Sequence, residues 1–158
     1  MSYKEELYKS YVTSHLIHRK GLMDNRKLKQ QCYGFRQHFG DFLPKSKSES
    51  IADLGCGSGS LVWWLRQSGY ENSKGVDGSP EQVELANQMG IDGVSLGDVF
   101  DFLDQGNEYQ ILFARDLIEH FDKQSVHDLL KKCFTAMTPG GYLILQVPNA
   151  ESPYFGRV

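Results

Sequence analysis

The sequence predicts an α/β protein built on a doubly wound parallel sheet. Three observations carry that expectation. Short apolar runs alternate with longer stretches of helical periodicity, which is the pattern of βαβ units. Ile51–Leu54, Ile111–Ala114 and Leu143–Val147 are apolar on both faces, as strands covered by helices on both sides must be. The chain has 158 residues, 40% hydrophobic and 23% charged, enough for one such core and little more.

The elements follow in order. Tyr3–His18 carries Leu7, Tyr8, Tyr11, Val12, His15 and Leu16 at helical spacing and stops at Gly21. Asp24 is placed to cap a second helix through Phe39, with Leu28, Cys32, Phe35 and Phe39 on one stripe. Asp41–Ser50 is polar, contains Pro44 and reads as a connector. The first strand, Ile51–Leu54, runs into a glycine cluster, and Leu61–Ser68 has helical character. A second strand over Lys74–Val76 ends at Asp77. Ser79-Pro80 then starts a helix, with Pro at its first position, that Gly90 closes. Val94–Leu96 and Tyr109–Ala114 are the third and fourth strands. A helix is expected from Asp122 to Met137, with Val126, Leu129, Leu130, Cys133, Phe134 and Met137 facing inward. Pro139-Gly140-Gly141 turns the chain into a fifth strand, Tyr142–Val147.

Composition excludes several classes. No apolar run approaches the ~20 residues of a membrane-spanning helix, and MSYKEELYKS carries charge where a signal peptide has its apolar core. A cytoplasmic location is expected, with no membrane partner. Three cysteines without a CxxC pair argue against a disulfide framework or a zinc ribbon. Residues 1–50 hold ten Lys/Arg against five Asp/Glu, and residues 51–158 hold seven against fifteen. A basic helical arm, 1–48, is therefore set apart from an acidic body, 49–158.

The strongest chemical signal is Asp53-Leu-Gly55-Cys-Gly57-Ser-Gly59, between the first strand and the next helix. Glycines there let the backbone turn sharply and approach a ligand without an intervening Cβ. The loop ends Gly59-Ser60-Leu61, whereas a nucleoside triphosphate loop needs Gly-Lys-Ser/Thr. A dinucleotide loop prefers G-x-G-x-x-G, and here the third glycine comes one residue early. A nucleoside with an amino-acid tail remains.

DLGCGSGSL resembles the first motif of class I S-adenosylmethionine-dependent methyltransferases. GVDGSP, GDVFDFL, YQILFARDLIEHF and PGGYLILQVPN resemble the family's later motifs in the family's order, so the resemblance spans about residues 50–149. It implies a Rossmann-like sheet of order 3-2-1-4-5, S-adenosyl-L-methionine as cofactor and S-adenosyl-L-homocysteine as product. It also implies residue roles. Asp53 accepts from the cofactor's ammonium group, and Gly55 and Gly57 lie against the methionine and ribose. Asp77 takes the ribose hydroxyls and Gly78 leaves room beside the adenine. Asp98 and Val99 meet the base, with helix capping as the other reading of Asp98. Arg115 and Asp116 stand at the fourth strand's end, where open parallel sheets bind ligands. Cys56 reads as a small packed residue rather than a nucleophile.

Asp116-x-x-Glu119-His120 resembles the acidic-histidine segment of metal-assisted O-methyltransferases. Three readings stay open for it: a hard cation, a proton acceptor at His120, or a capped helix start. His120 is the candidate catalytic residue, and no metal is assigned. The family usually adds two strands after the fifth, whereas only eleven residues follow Val147 here. The expectations are therefore a five-strand sheet without those last two, an N-terminal arm folded over the cofactor mouth with Tyr11 and Arg19 near the methionine end, and a fifth-strand edge that a second copy covers. The expected activity is methyl transfer to a small molecule or a glycan precursor. The alternatives are a cofactor-binding domain without activity and an RNA-directed methyltransferase.

Overall fold

The structure, a computed structural model, describes residues 25–149. The Tyr3–His18 helix, the Asp24 cap, Tyr11 and Arg19 lie outside the described residues. The elements are α1 (Asn25–Phe39), a 3-10 turn (Gly40–Phe42), β1 (Ile51–Leu54), α2 (Ser60–Gln67), β2 (Ser73–Asp77) and α3 (Pro80–Gln88). They continue with β3 (Val94–Leu96), α4 (Val99–Leu103), β4 (Tyr109–Arg115), a second 3-10 turn (Ile118–His120), α5 (Lys123–Ala136) and β5 (Met137–Gln146).

The five strands form one parallel sheet in the order β3-β2-β1-β4-β5, as expected. Successive side chains of a strand point to opposite faces, and the core divides accordingly. Ile51, Ile111 and Phe113 pack on one face against Phe35 and Phe39 of α1 and Leu61, Trp64 and Leu65 of α2. Ala52, Leu54, Leu112 and Ala114 pack on the other against Val99 and Phe102 of α4 and Leu129 and Cys133 of α5. The helical stripe of α1 is buried in two places: Phe35 and Phe39 in the sheet's core, and Leu28 in a separate cluster with Ala86 and Ile91. Two helix starts carry side-chain caps. Ser79 Oγ accepts from the Gln82 N–H ahead of α3, and Asp122 Oδ1 accepts from the Ser125 N–H at 2.7 Å ahead of α5.

Two details differ from the sequence reading. The fifth strand starts at Met137, not Tyr142. Met137 pairs with Tyr109 and Tyr142 with Ile111, so Thr138–Gly141 bulges out of the ladder opposite Gln110. The Pro-Gly-Gly segment therefore interrupts a strand rather than preceding it. On α5, Leu129, Cys133 and Ala136 are buried, but Leu130 is 39% and Phe134 78% exposed. One face of a 14-residue helix covers the sheet, and the wider apolar stripe in the sequence overruns it.

No helix among the described residues is long and apolar enough to cross a membrane. β5 lies at the sheet's edge, where Tyr142, Leu145 and Val147 are exposed.

Candidate functional site

Strand order reverses at β1, which has β2 on one side and β4 on the other. At such a point the connections leave to opposite faces and open a crevice at the carboxyl ends of the strands. A cleft of about 280 Å³ lies there, lined by the glycine turn after β1, the ends of β2 and β4, and Gln31 of α1.

Asp53, in β1, is 1% exposed, and its Oδ1 has no hydrogen-bond partner among the described residues. Burial pushes its carboxyl up to about 7; the Arg115 charge opposes that shift and the Asp77 charge adds to it. An unsatisfied buried acceptor costs ~1–3 kcal/mol, and a ligand cation donating to Oδ1 removes that cost.

The turn that follows is fixed from β2. The N–H groups of Gly55 and Cys56 both donate to the Val76 carbonyl, at 2.9 and 3.0 Å. The Gly57 N–H donates to Asp77 Oδ2 at 2.7 Å, and the Ser79 N–H donates to Asp77 Oδ1 at 2.8 Å. Burial pushes the Asp77 carboxyl up, and these two donors pull it back. Each oxygen keeps a further lone pair for a ligand hydroxyl.

Two glycines do different work. Gly57 has φ +55°, and a Cβ there meets nothing nearer than Gln82 Oε1 at 3.8 Å, so its open side faces the cleft. Gly59 has φ +77°, and a Cβ there falls 2.5 Å from Val94 Cγ2, so it lets α2 close onto β3. Cys56 serves packing: its Sγ stands 2.7 Å from where a Cβ on Gly75 belongs. Burial, with the Asp53 and Asp77 charges, pushes its thiol well up, away from the reactive thiolate.

At the end of β4, Arg115 Nε donates to Gln146 Oε1 at 3.3 Å. Its guanidinium lies 4.7 Å from the Phe35 ring centre and 5.9 Å from that of Phe39. Asp116 follows with φ +49°, alone among the described non-glycine residues in having a positive φ. Its N–H donates to the Gln146 carbonyl at 2.8 Å. Strained backbone of this kind concentrates at functional sites. The 3-10 turn then delivers His120 to the cleft wall.

The cleft therefore unites Asp53, Gly55, Gly57, Asp77, Arg115, Asp116 and His120. Gly78, Asp98 and Val99 stand outside its wall. Asp98 caps α4, its Oδ1 accepting from the N–H groups of Phe100 at 2.7 Å and Asp101 at 3.4 Å. The Val99 side chain is in the core. Among the described residues no group of three His, Cys, Asp or Glu side chains is close enough to hold a metal ion, so Asp116, Glu119 and His120 do not converge as one. The sequence reading missed Gln31, Ser58, Ser60 and Gln82 on the wall. A signal existed for Gln31, which precedes Phe35 by one helical turn and so borders the apolar stripe of α1.

A family described as "Methyltransferase domain" matches residues 25–156. The chain belongs to this methyltransferase domain family. A curated relative, phosphoethanolamine N-methyltransferase 3 of Arabidopsis thaliana, is 22% identical over 129 residues, covering 75% of this chain and 26% of that protein. The chain thus spans about a quarter of that relative's length.

Solved structures share the domain's fold. A SAM-dependent methyltransferase from Archaeoglobus fulgidus superposes with a TM-score of 0.65 at 22% identity, over 83% of this chain and 62% of that one. Magnesium protoporphyrin IX methyltransferase from Synechocystis PCC 6803, solved with bound SAM, gives 0.62 at 18% identity, over 92% and 76%.

Proposed function

We propose that this methyltransferase domain binds S-adenosylmethionine and transfers its methyl group to a small-molecule acceptor, glycan precursors included. The observation that carries the reading is the buried Oδ1 of Asp53, without a hydrogen-bond partner among the described residues, beside the open glycine turn. An anionic acceptor sealed into the strand end suits an ammonium group. Asp77, with a free lone pair on each oxygen, suits a ribose diol one strand away. When bound, the cofactor supplies an electrophilic methyl carried on a sulfonium. The protein's part is to hold that methyl in line with the acceptor and to keep water out, which is where most of the rate enhancement of such a displacement arises. His120, on the cleft wall, takes the proton of a hydroxyl acceptor.

A small-molecule acceptor is supported by the charge beside the cleft. Asp53, Asp77 and Asp116 stand against Arg115, an acidic balance that disfavours a phosphate backbone. Names of relatives point the same way: phosphoethanolamine and magnesium protoporphyrin IX are both small molecules.

Calorimetric titration with S-adenosylhomocysteine tests binding, and label transfer from methyl-labelled S-adenosylmethionine to a panel of small amines, hydroxyls and carboxylates tests transfer. Binding that disappears in Asp53→Asn is expected. No heat with the wild-type protein refutes the reading. His120→Asn should keep S-adenosylhomocysteine affinity within about twofold while slowing transfer to hydroxyl acceptors.

A further inference from the structure

The outward side of α1 is a basic strip. The helix contains Arg26, Lys27, Lys29 and Arg36 and no Asp or Glu. Its buried row is Leu28, Phe35 and Phe39. At 3.6 residues per turn, Arg26, Gln30, Tyr33 and Gln37 form the row on the opposite side, with Lys29 and Arg36 along one flank of it. All six are exposed, and the Tyr33 ring in their midst is 71% exposed. The strip is about 16 Å long at 1.5 Å per residue. None of its cations stands in an ion pair among the described residues, where the pairs are His127–Asp128 and Lys132–Asp104. The acid surplus lies elsewhere, since residues 51–158 hold fifteen Asp/Glu against seven Lys/Arg. A polyanion is thus attracted to the strip and repelled by the rest of the domain.

We propose that the outward face of α1 is a docking strip for single-stranded nucleic acid, with phosphates on Arg26, Lys29 and Arg36 and a base stacked on Tyr33. Cations that track a backbone around an aromatic ring are the two elements of single-strand binding. A duplex engages only the cations, because its bases are already stacked on one another. An acidic peptide likewise leaves the Tyr33 ring in water. A lipid surface takes up apolar side chains, and those of α1 are spent on the core. A second copy brings its own acid surplus, so the two bodies repel everywhere except at the strip. The inference is independent of the cofactor reading. The strip faces away from the sheet, whereas Gln31, on another side of the same helix, lines the cleft. Docking here leaves the acidic cleft to its small-molecule acceptor.

The test is fluorescence anisotropy of a labelled oligouridylate of about 20 nucleotides, longer than one domain covers, titrated with the full chain at several salt concentrations. Three phosphate contacts on a single strand give a slope of log affinity against log salt of about −2, so affinity should fall roughly twentyfold between 50 and 200 mM salt. The triple variant Arg26→Gln/Lys29→Gln/Arg36→Gln should lose about tenfold or more at 50 mM and show a slope near zero. Tyr33→Ala should weaken binding about fivefold or more with the slope unchanged, and Tyr33→Phe, which keeps the ring, should bind as the wild type does. Matching urea midpoints certify that the variants are folded. A wild-type protein that leaves the anisotropy unchanged at 50 mM salt overturns the proposal, and so does a triple variant with the wild-type affinity and slope. A Tyr33→Ala variant that binds like the wild type, or equal affinity for a duplex of the same length, overturns the single-strand assignment. Polyglutamate or anionic vesicles that compete as well per charge as the oligouridylate overturn it too, and give the strip to an acidic protein or a membrane surface.

Discussion

Replacing Asp53 by Asn should make the ligand-free protein more stable above neutral pH while destroying its affinity for an ammonium-bearing ligand. The magnitude follows from burial. Asp53 is 1% exposed, and its carboxyl is pushed from 3.8 to about 7. A raised folded-state value means that the folded protein holds this proton more tightly than the unfolded chain does. The associated stability is complete below about pH 4 and is lost as pH rises through about 7. At ~1.4 kcal/mol per pH unit the whole swing is ~4 kcal/mol, of which roughly 3 falls between pH 5 and pH 8.

The assay is urea unfolding of the wild-type protein and Asp53→Asn at those two pH values. Carboxylates remote from Asp53 titrate alike in both proteins, so the difference between them reports Asp53 together with its coupling to Asp77. The variant should gain on the wild type by roughly 3 kcal/mol from pH 5 to pH 8. S-adenosylhomocysteine affinity of the wild type should rise over the same window and stay flat and weak in the variant. A stability difference that is the same at both pH values refutes the buried, proton-holding Asp53.

Three further outcomes are expected. Asp77→Ala should weaken S-adenosylhomocysteine at least tenfold by calorimetry. It removes a charge-assisted pair of acceptors, worth ~1.5–3 kcal/mol, and also strips the Gly57 and Ser79 N–H groups of their partner. Gly59→Ala should cost ~2 kcal/mol or more in urea unfolding, because φ is +77° and the new Cβ meets Val94 Cγ2 at 2.5 Å. If the β5 edge is where a second copy docks, sedimentation at micromolar concentration should show a dimer that Leu145→Lys converts to monomer; a monomeric wild type refutes that docking.

Strands of the sheet were legible because they are buried on both faces and therefore apolar without interruption, as in Ile51–Leu54. The glycine turn and the Ser79 cap were legible because their chemistry is local. The start of β5 was not. Pro139-Gly140-Gly141 has the composition of a terminating turn, and only pairing with Tyr109, 28 residues earlier in the chain, keeps Met137 in the ladder. Phe134 misled because an apolar residue in helical phase says nothing about whether a neighbour is there to cover it. Within the site, the strand-end acids could be read one motif at a time. The stacking of Arg115 on Phe39 and Phe35 could not, since it joins residues 76 and 80 positions apart by a contact that no spacing rule encodes.

The β1–β4 ladder joins Ile51 to Ile111 and Leu54 to Ala114, so each of its bonds closes a loop of 60 residues. Loop closure on that scale is entropically expensive and makes parallel pairing a late event on the folding path. The glycine turn can adopt its shape early, but the cleft exists only once β4 has docked beside β1. A ligand that bridges the two strand ends therefore stabilises the native state without stabilising a transition state in which that pairing is incomplete. Its effect should fall on the unfolding rate, lengthening the life of the folded protein while leaving the speed of folding almost unchanged.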